Sequence, residues 1–327
     1  MQFRYGLVSL WVASMVAVAG GFAGSATAQE YPVKTVRVLI PWAAGGSSDA
    51  IGRIVTHRLG EVLGQQFVVD NRPGATGTIG HAQVARAAPD GYTILVGSNS
   101  TFAIAPHLYK IPYDNEKSLD PVTLLGVSPQ MLSLHPSLPV KDLKSFIALA
   151  KSRPNELVFS TAGAGATSHL AMELFMYMSG TRMTHVPYKG GGPSAQAVLA
   201  GETAMTFMDA ITALPFARAG KLRAVAVSTP KRASIMPEVP TMDEAGLKGY
   251  DSNTSFGVFV PAGTPRDIVA KLHREFVSAL QHPQVRERLV SQGIEVVGSS
   301  PDEFRAYQRA ESEKWGRVVR ERGIKVD

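Results

Sequence analysis

Hydrophobic positions along this chain follow two alternating rhythms. Short β-branched runs predict strands. Each is followed by a stretch whose apolar residues recur every three or four positions, the spacing of a helix with one buried face. Val36–Ile40 is the first such run and ends at Pro41. From Ala50 to Leu63, residues Ile51, Ile54, Val55, Leu59, Val62 and Leu63 mark a helix face, and Gly64 stops it. The unit recurs in kind. Strands are predicted over Phe67–Val69, Tyr92–Val96, Leu157–Phe159, Val186–Tyr188, Ala204–Met208, Leu222–Val227 and Phe256–Val260. Helices are predicted over Ile79–Ala87, over His169–Met178 and up to Ala200. After the last strand they follow over Pro265–Leu280, Pro283–Gln292 and Pro301–Arg322. Strands alternating with helices predict an α/β fold with mostly parallel sheets. A closing helical block packs back on an earlier sheet. The chain is therefore expected to form a discontinuous first domain, residues 29–130 and 252–327, with a second domain, 131–251, inserted into it. The two crossovers would form a hinge.

The start of the chain breaks the rhythm. Arg4 precedes an almost wholly apolar run from Leu7 to Ala23, and Ala26-Thr27-Ala28 places small residues before Gln29. That is the charged start, apolar middle and small-residue cleavage site of a secretory leader, and the run is short for a membrane-spanning helix. Residues 1–28 are expected to be removed on export. The 327-residue length suits two domains, and 45% hydrophobic with 18% charged residues excludes a disordered chain. There is no cysteine, hence no lipid-anchored thiol, disulfide framework or thiolate chemistry. The net charge of +6 is dispersed, with no run of five basic residues, so no nucleic-acid partner is expected.

The chemistry is concentrated in the loops after the strands, where open α/β sheets bind ligands. These are Gly45-Gly46-Ser47-Ser48-Asp49, Gly74-Ala75-Thr76-Gly77-Thr78, Ser98-Asn99-Ser100-Thr101, Thr161 to Ser168, and Lys189 to Gly192. Four of the five open into a predicted helix. Unpaired N–H groups and the helix dipole make such starts suited to a small anion, and the same residues also serve as turn and cap formers. Trp42 reads either as a core aromatic or as a ligand wall, and Tyr188 likewise. Lys189 reads as a counter-charge or as a solvated side chain. Asp49 and Ser168 read as helix caps as well as ligand contacts. No nucleotide-binding glycine pattern, no G-x-S-x-G and no metal-ligand histidine spacing is present, so neither cofactor nor metal is expected. A hydrolase would have to assemble Asp49, Asp209 and His169 around a loop serine, without any standard spacing.

Six segments then carry a resemblance: Pro41 to Asp49, Asn71 to Gly77, Pro89-Asp90-Gly91-Tyr92, Thr167-Ser168-His169-Leu170, Val186 to Gly190, and Phe259 to Pro265. In this order, over nearly the whole chain after the leader, they resemble the substrate-binding proteins of tripartite tricarboxylate transporters, the Bug receptors. The resemblance implies a two-domain periplasmic binding protein fold of type II, with a hinge and an interdomain ligand cleft. It implies a monomer that captures a small carboxylate (a di- or tricarboxylate, an aromatic acid or an acidic amino acid) for transporter membrane subunits. It also implies that backbone amides and hydroxyls hold the carboxylate, chiefly from the first strand–helix loop and Thr167 to His169. Ser160 to Ala166 departs from the pattern, lacking the polar residue such as Asn that the family often has before a Gly. The expected ligand contacts are Trp42, Gly45, Gly46, Ser47, Asp49, Gly77, Ser98, Asn99, Gly165, Thr167, Ser168, His169, Tyr188 and Asp209. A sensory module feeding a membrane kinase would use the same recognition chemistry.

Overall fold

The computed structural model describes residues 31–326. The leader expected over residues 1–28 lies outside them. Residues 31–33 form no helix or strand, and the chain from Lys34 onward makes one compact unit.

In that unit strand β1 (Val36–Ile40) leads to α1 (Ser47–Leu63), β2 (Phe67–Asn71), α2 (Thr78–Ala85) and β3 (Thr93–Ser98). A long strand β4 (Leu119–Leu134) then crosses to α3 (Leu143–Ser152), β5 (Val158–Thr161), α4 (Thr167–Ser179) and β6 (Thr184–Pro187). Next come α5 (Gly191–Leu199), β7 (Met205–Asp209), α6 (Ala210–Arg218) and β8 (Arg223–Val227). The chain returns through β9 (Asn253–Pro261) and closes with α7 (Arg266–Gln281), α8 (Pro283–Ser291), β10 (Glu295–Val296) and α9 (Pro301–Arg322). Ser300 and Glu303 form a reciprocal capping box that starts α9 where Pro301 predicts it.

The sheet order is β2-β1-β3-β9-β4-β7-β5-β6, with β8 and β10 also on β4. The parallel pairing expected from the alternating pattern holds within two groups: β1 with β2 and β3, and β5 with β6 and β7. Between them the sheet is antiparallel, because β9 runs against both β3 and β4, and β7 and β8 run against β4. The sheet is therefore mixed rather than mostly parallel. β4 itself escapes the sequence pattern. Pro121, Gly126 and Pro129 look like breakers, but register shifts between Pro121 and Thr123 and between Leu124 and Gly126 absorb the irregularity.

Where β4 passes from one group to the other, three buried residues lock together. Gln130 N–H donates to Ser228 Oγ (2.9 Å), Ser228 Oγ–H to the Ser252 carbonyl (2.5 Å), and Ser252 Oγ–H to Gln130 Oε1 (2.9 Å). On either side lies an aromatic core. One packs Phe102, Phe259, Phe304 and Trp315; the other packs Phe146, Phe159, Phe175 and Phe207. The two groups of strands thus have separate aromatic cores and are joined by the crossing strands β4 and β9.

Candidate functional site

Two helices begin earlier than apolar spacing suggests, and this places the site. α1 starts at Ser47 rather than Ala50, and α4 at Thr167 rather than His169. Their first turns are polar, so hydrophobic periodicity does not register them. Gly46, Ala166 and Gly190 precede α1, α4 and α5 without any side-chain cap. Such starts leave first-turn N–H groups for other acceptors, although in α4 Thr167 N–H is taken by Ser100 Oγ and His169 N–H by the Ala166 carbonyl.

These starts converge on two small cavities of about 40 and 30 Å³, which share Ser47, Ala162, Thr167, Gly191 and Asp209 as a wall. The first adds Trp42, Gly46, Ser98, Ser100 and Thr254; the second adds Gln130, Ser168, Ser194 and Thr212. Either has room for a few water molecules at most. Larger cavities lie elsewhere, such as one of about 430 Å³ between Tyr177 and Arg322, but no comparable convergence of helix starts lines it.

Several hydrogen bonds cross the cleft. Ser47 Oγ–H donates to Asp209 Oδ2, joining the start of α1 to the end of β7. Thr167 N–H donates to Ser100 Oγ (2.9 Å), and the Thr167 and Thr254 hydroxyls lie 2.8 Å apart. Thr76 and Tyr109 both donate to the Ala164 carbonyl, Tyr109 at 2.5 Å. The glycine loops also meet closely. A Cβ on Gly190 would fall 3.2 Å from Ala43 N, and one on Gly192 3.0 Å from the Ala44 carbonyl oxygen.

Asp209 is the single ionisable side chain in either cavity wall among the described residues. Burial pushes its carboxyl up to about 6, against the opposing hydrogen bond from Ser47 and the polar groups of Thr254 and Gln130. Its Oδ1 has no hydrogen-bond partner among the described residues, because neither Thr254 nor Gln130 meets hydrogen-bond geometry with it. The raised value means that the closed protein binds a proton more tightly than the unfolded chain. The contribution of Asp209 to stability is thus greatest below the ordinary carboxyl range and is lost as pH rises from about 4 to about 6. Asp209→Asn removes the cost of the buried charge. Its melting temperature should exceed the wild type's by a few degrees at pH 7, with the gap gone at pH 4. An equal gap at both pH values would show that the charge is not the cause.

The expected contacts divide. Trp42, Gly46, Ser47, Ser98, Thr167, Ser168 and Asp209 line the cavities. The structure gives the other expected contacts supporting positions outside the walls. Gly45 N–H donates to Asp49 Oδ2 (3.1 Å), and Asp49 also accepts from Arg53 (2.9 Å) and Asn71 (3.0 Å), which braces the first loop. Gly77 is left-handed and lets α2 begin against Trp42, where a Cβ would lie 3.4 Å from Cζ2. Asn99 bridges Ser255 N–H (3.2 Å) and Glu311 (3.0 Å) behind the site. Gly165 sits under Leu108 and Tyr109. His169 Nδ1 accepts from Gly165 N–H (3.0 Å) while its ring stacks on His185 (4.2 Å), and Tyr188 Oη donates to Glu202 (3.2 Å). Asp49, Asp209 and His169 make no hydrogen bond to one another. Gln130, Ser194 and Thr254 line the site without having been expected. Gln130 and Thr254 sit within strands, where nothing in the local pattern separates a cleft residue from a core one.

Fold and cleft together define a two-lobed binding protein. Residues 51–324 match the tripartite tricarboxylate transporter family receptor, and the chain belongs to that family. Three solved structures illustrate the similarity. Rpa4515 of R. palustris with adipate shares 34% identity at a TM-score of 0.89, covering 90% of this chain and 99% of that one. MatC of Rhodopseudomonas palustris with bound malate shares 35% at 0.85, covering 88% and 100%. The periplasmic binding protein BugD shares 32% at 0.87, covering 90% and 99%.

Proposed function

We propose that this protein captures a small carboxylate in the periplasm and presents it to the membrane subunits of a tripartite tricarboxylate transporter, without chemical turnover. The observation that carries the reading is the convergence of uncapped helix starts and hydroxyls on one enclosed cleft, a site for an anion that needs no basic side chain. Relatives holding adipate and malate support a carboxylate as that anion. Export by a cleaved leader over residues 1–28 accords with this location.

In this reading the lobes are residues 29–130 with 252–327, and residues 131–251. The hydrogen-bonded knot of Gln130, Ser228 and Ser252 lies beside those boundaries and supports them as the hinge. The cavities are too small to hold a dicarboxylate, so the acid enters as the lobes part, and the cleft that holds it is wider than the cavities of this structure.

The test is a thermal-shift panel of mono-, di- and tricarboxylates, aromatic acids and acidic amino acids on protein freed of bound ligand by unfolding and refolding. At 100 times its dissociation constant a ligand adds about 2.7 kcal/mol, or several degrees. A rise confined to one class of acid is expected. A flat response to every acid would overturn the receptor reading.

A further inference from the structure

The cleft is polar in a directional way. Two residues that line the larger of the two small cavities each carry a buried atom that meets no partner at hydrogen-bond geometry among the described residues: the donor Trp42 Nε1 and the acceptor Asp209 Oδ1. Such orphans are uncommon in native structures, because each costs the free energy of desolvation. Here they are complementary in kind. A carboxylate matches Trp42 and the helix starts; it does not match Asp209, which at neutral pH presents a second negative charge.

Nothing in the walls compensates that charge. No Lys, Arg or His lines either cavity among the described residues. The groups that face the Asp209 carboxylate are the Ser47 hydroxyl, Thr254 and Gln130, all neutral. A ligand carrying only carboxylates would set one of them against Asp209 in an enclosed space, where like charges repel strongly. A ligand that brings a hydroxyl or ammonium hydrogen to Oδ1 would satisfy it instead. Sites that hydrogen-bond a ligand group discriminate sharply against analogues lacking it, since the buried partner is then left unpaired.

We infer that Asp209 is a specificity residue that selects carboxylates bearing a hydrogen-bond donor, hydroxy acids or amino acids, over donorless acids of the same skeleton. The carboxylate lies toward Trp42 and the starts of α1 and α4, and the donor reaches Asp209. This rests on the carboxylate-receptor reading and narrows it.

The experiment takes the tightest acid from the panel and compares it by calorimetry, at pH 7.5, with analogues of identical skeleton. If the skeleton has four carbons, the set is succinate, malate and aspartate. The donor-bearing member should bind at least tenfold more tightly than the donorless one. Asp209→Asn, checked for folding by circular dichroism, should shrink that preference to within about threefold, chiefly by improving the donorless acid. Equal affinity of donorless and donor-bearing acids in the wild type would overturn the inference and leave the receptor reading standing. An unchanged preference in Asp209→Asn would overturn the role of Asp209. Failure of every acid to bind belongs to the receptor reading itself and would remove both.

Discussion

Gly257→Ala should destabilise the protein by about 3 kcal/mol, the upper end of the usual cost of overpacking, and lower its melting temperature by roughly 5–10 °C. A Cβ at this position would fall 1.9 Å from Phe304 Cζ and 2.5 Å from Cε1. Neither side can give way. Gly257 lies in β9 between β3 and β4, paired with Gly97 on one side and Leu124 on the other. The Phe304 ring is fully buried and is held by Phe259, with ring centroids 4.9 Å apart, and by Phe102 at 5.6 Å in an edge contact. Phe304→Leu alone loses aromatic packing, but in the double variant it opens space for the new methyl. The two substitutions should therefore be clearly non-additive. Thermal melts of the two single variants and the double variant measure this. Additive losses would mean that the Gly257 cost arises from the backbone and not from Phe304.

That contact also shows how far sequence reading reaches here. The strand containing Gly257 and the helix containing Phe304 are both visible in the pattern, and α9 begins at the predicted Pro301. What the pattern does not contain is their meeting, which depends on a return of the chain across the sheet. The same limit explains β4. It is buried on both faces for most of its length, so alternation is lost, and its prolines imitate loop signals. The cavity walls were legible through glycine and hydroxyl residues recurring at several strand ends together, since in any one loop the same residues serve as turn and cap formers. They were not legible residue by residue. Ser98 ends β3 and Asn99 follows it, yet Ser98 lines the cavity and Asn99 turns back to Glu311 of α9. A strand reverses its side chains at every step, and the loop sequence alone does not say which step faces the cleft.

Gly46→Leu should weaken ligand binding by roughly a hundredfold, about 3 kcal/mol, while leaving the protein folded. Gly46 adopts an extended backbone (φ −89°, ψ 173°) that any residue tolerates, so no strain arises locally. The obstacle lies across the cleft. A Cβ there would stand 3.6 Å from Gly192 N and 3.7 Å from Gly191 N, already in van der Waals contact. Further atoms of a leucine side chain must occupy the space of that backbone, so the start of α1 and the start of α5 are driven apart. The open form avoids the clash, and the substitution therefore acts on closure and not on folding. Gly46→Ala adds only the tolerated Cβ and should change affinity less than threefold. The graded pair is read by calorimetry with the tightest acid from the panel. Small-angle scattering with that acid should show compaction of the wild type and of Gly46→Ala, and none of Gly46→Leu. Tight binding by the leucine variant would mean that the acid is held without the two glycine loops meeting, and the enclosed cleft would then not be the functional state.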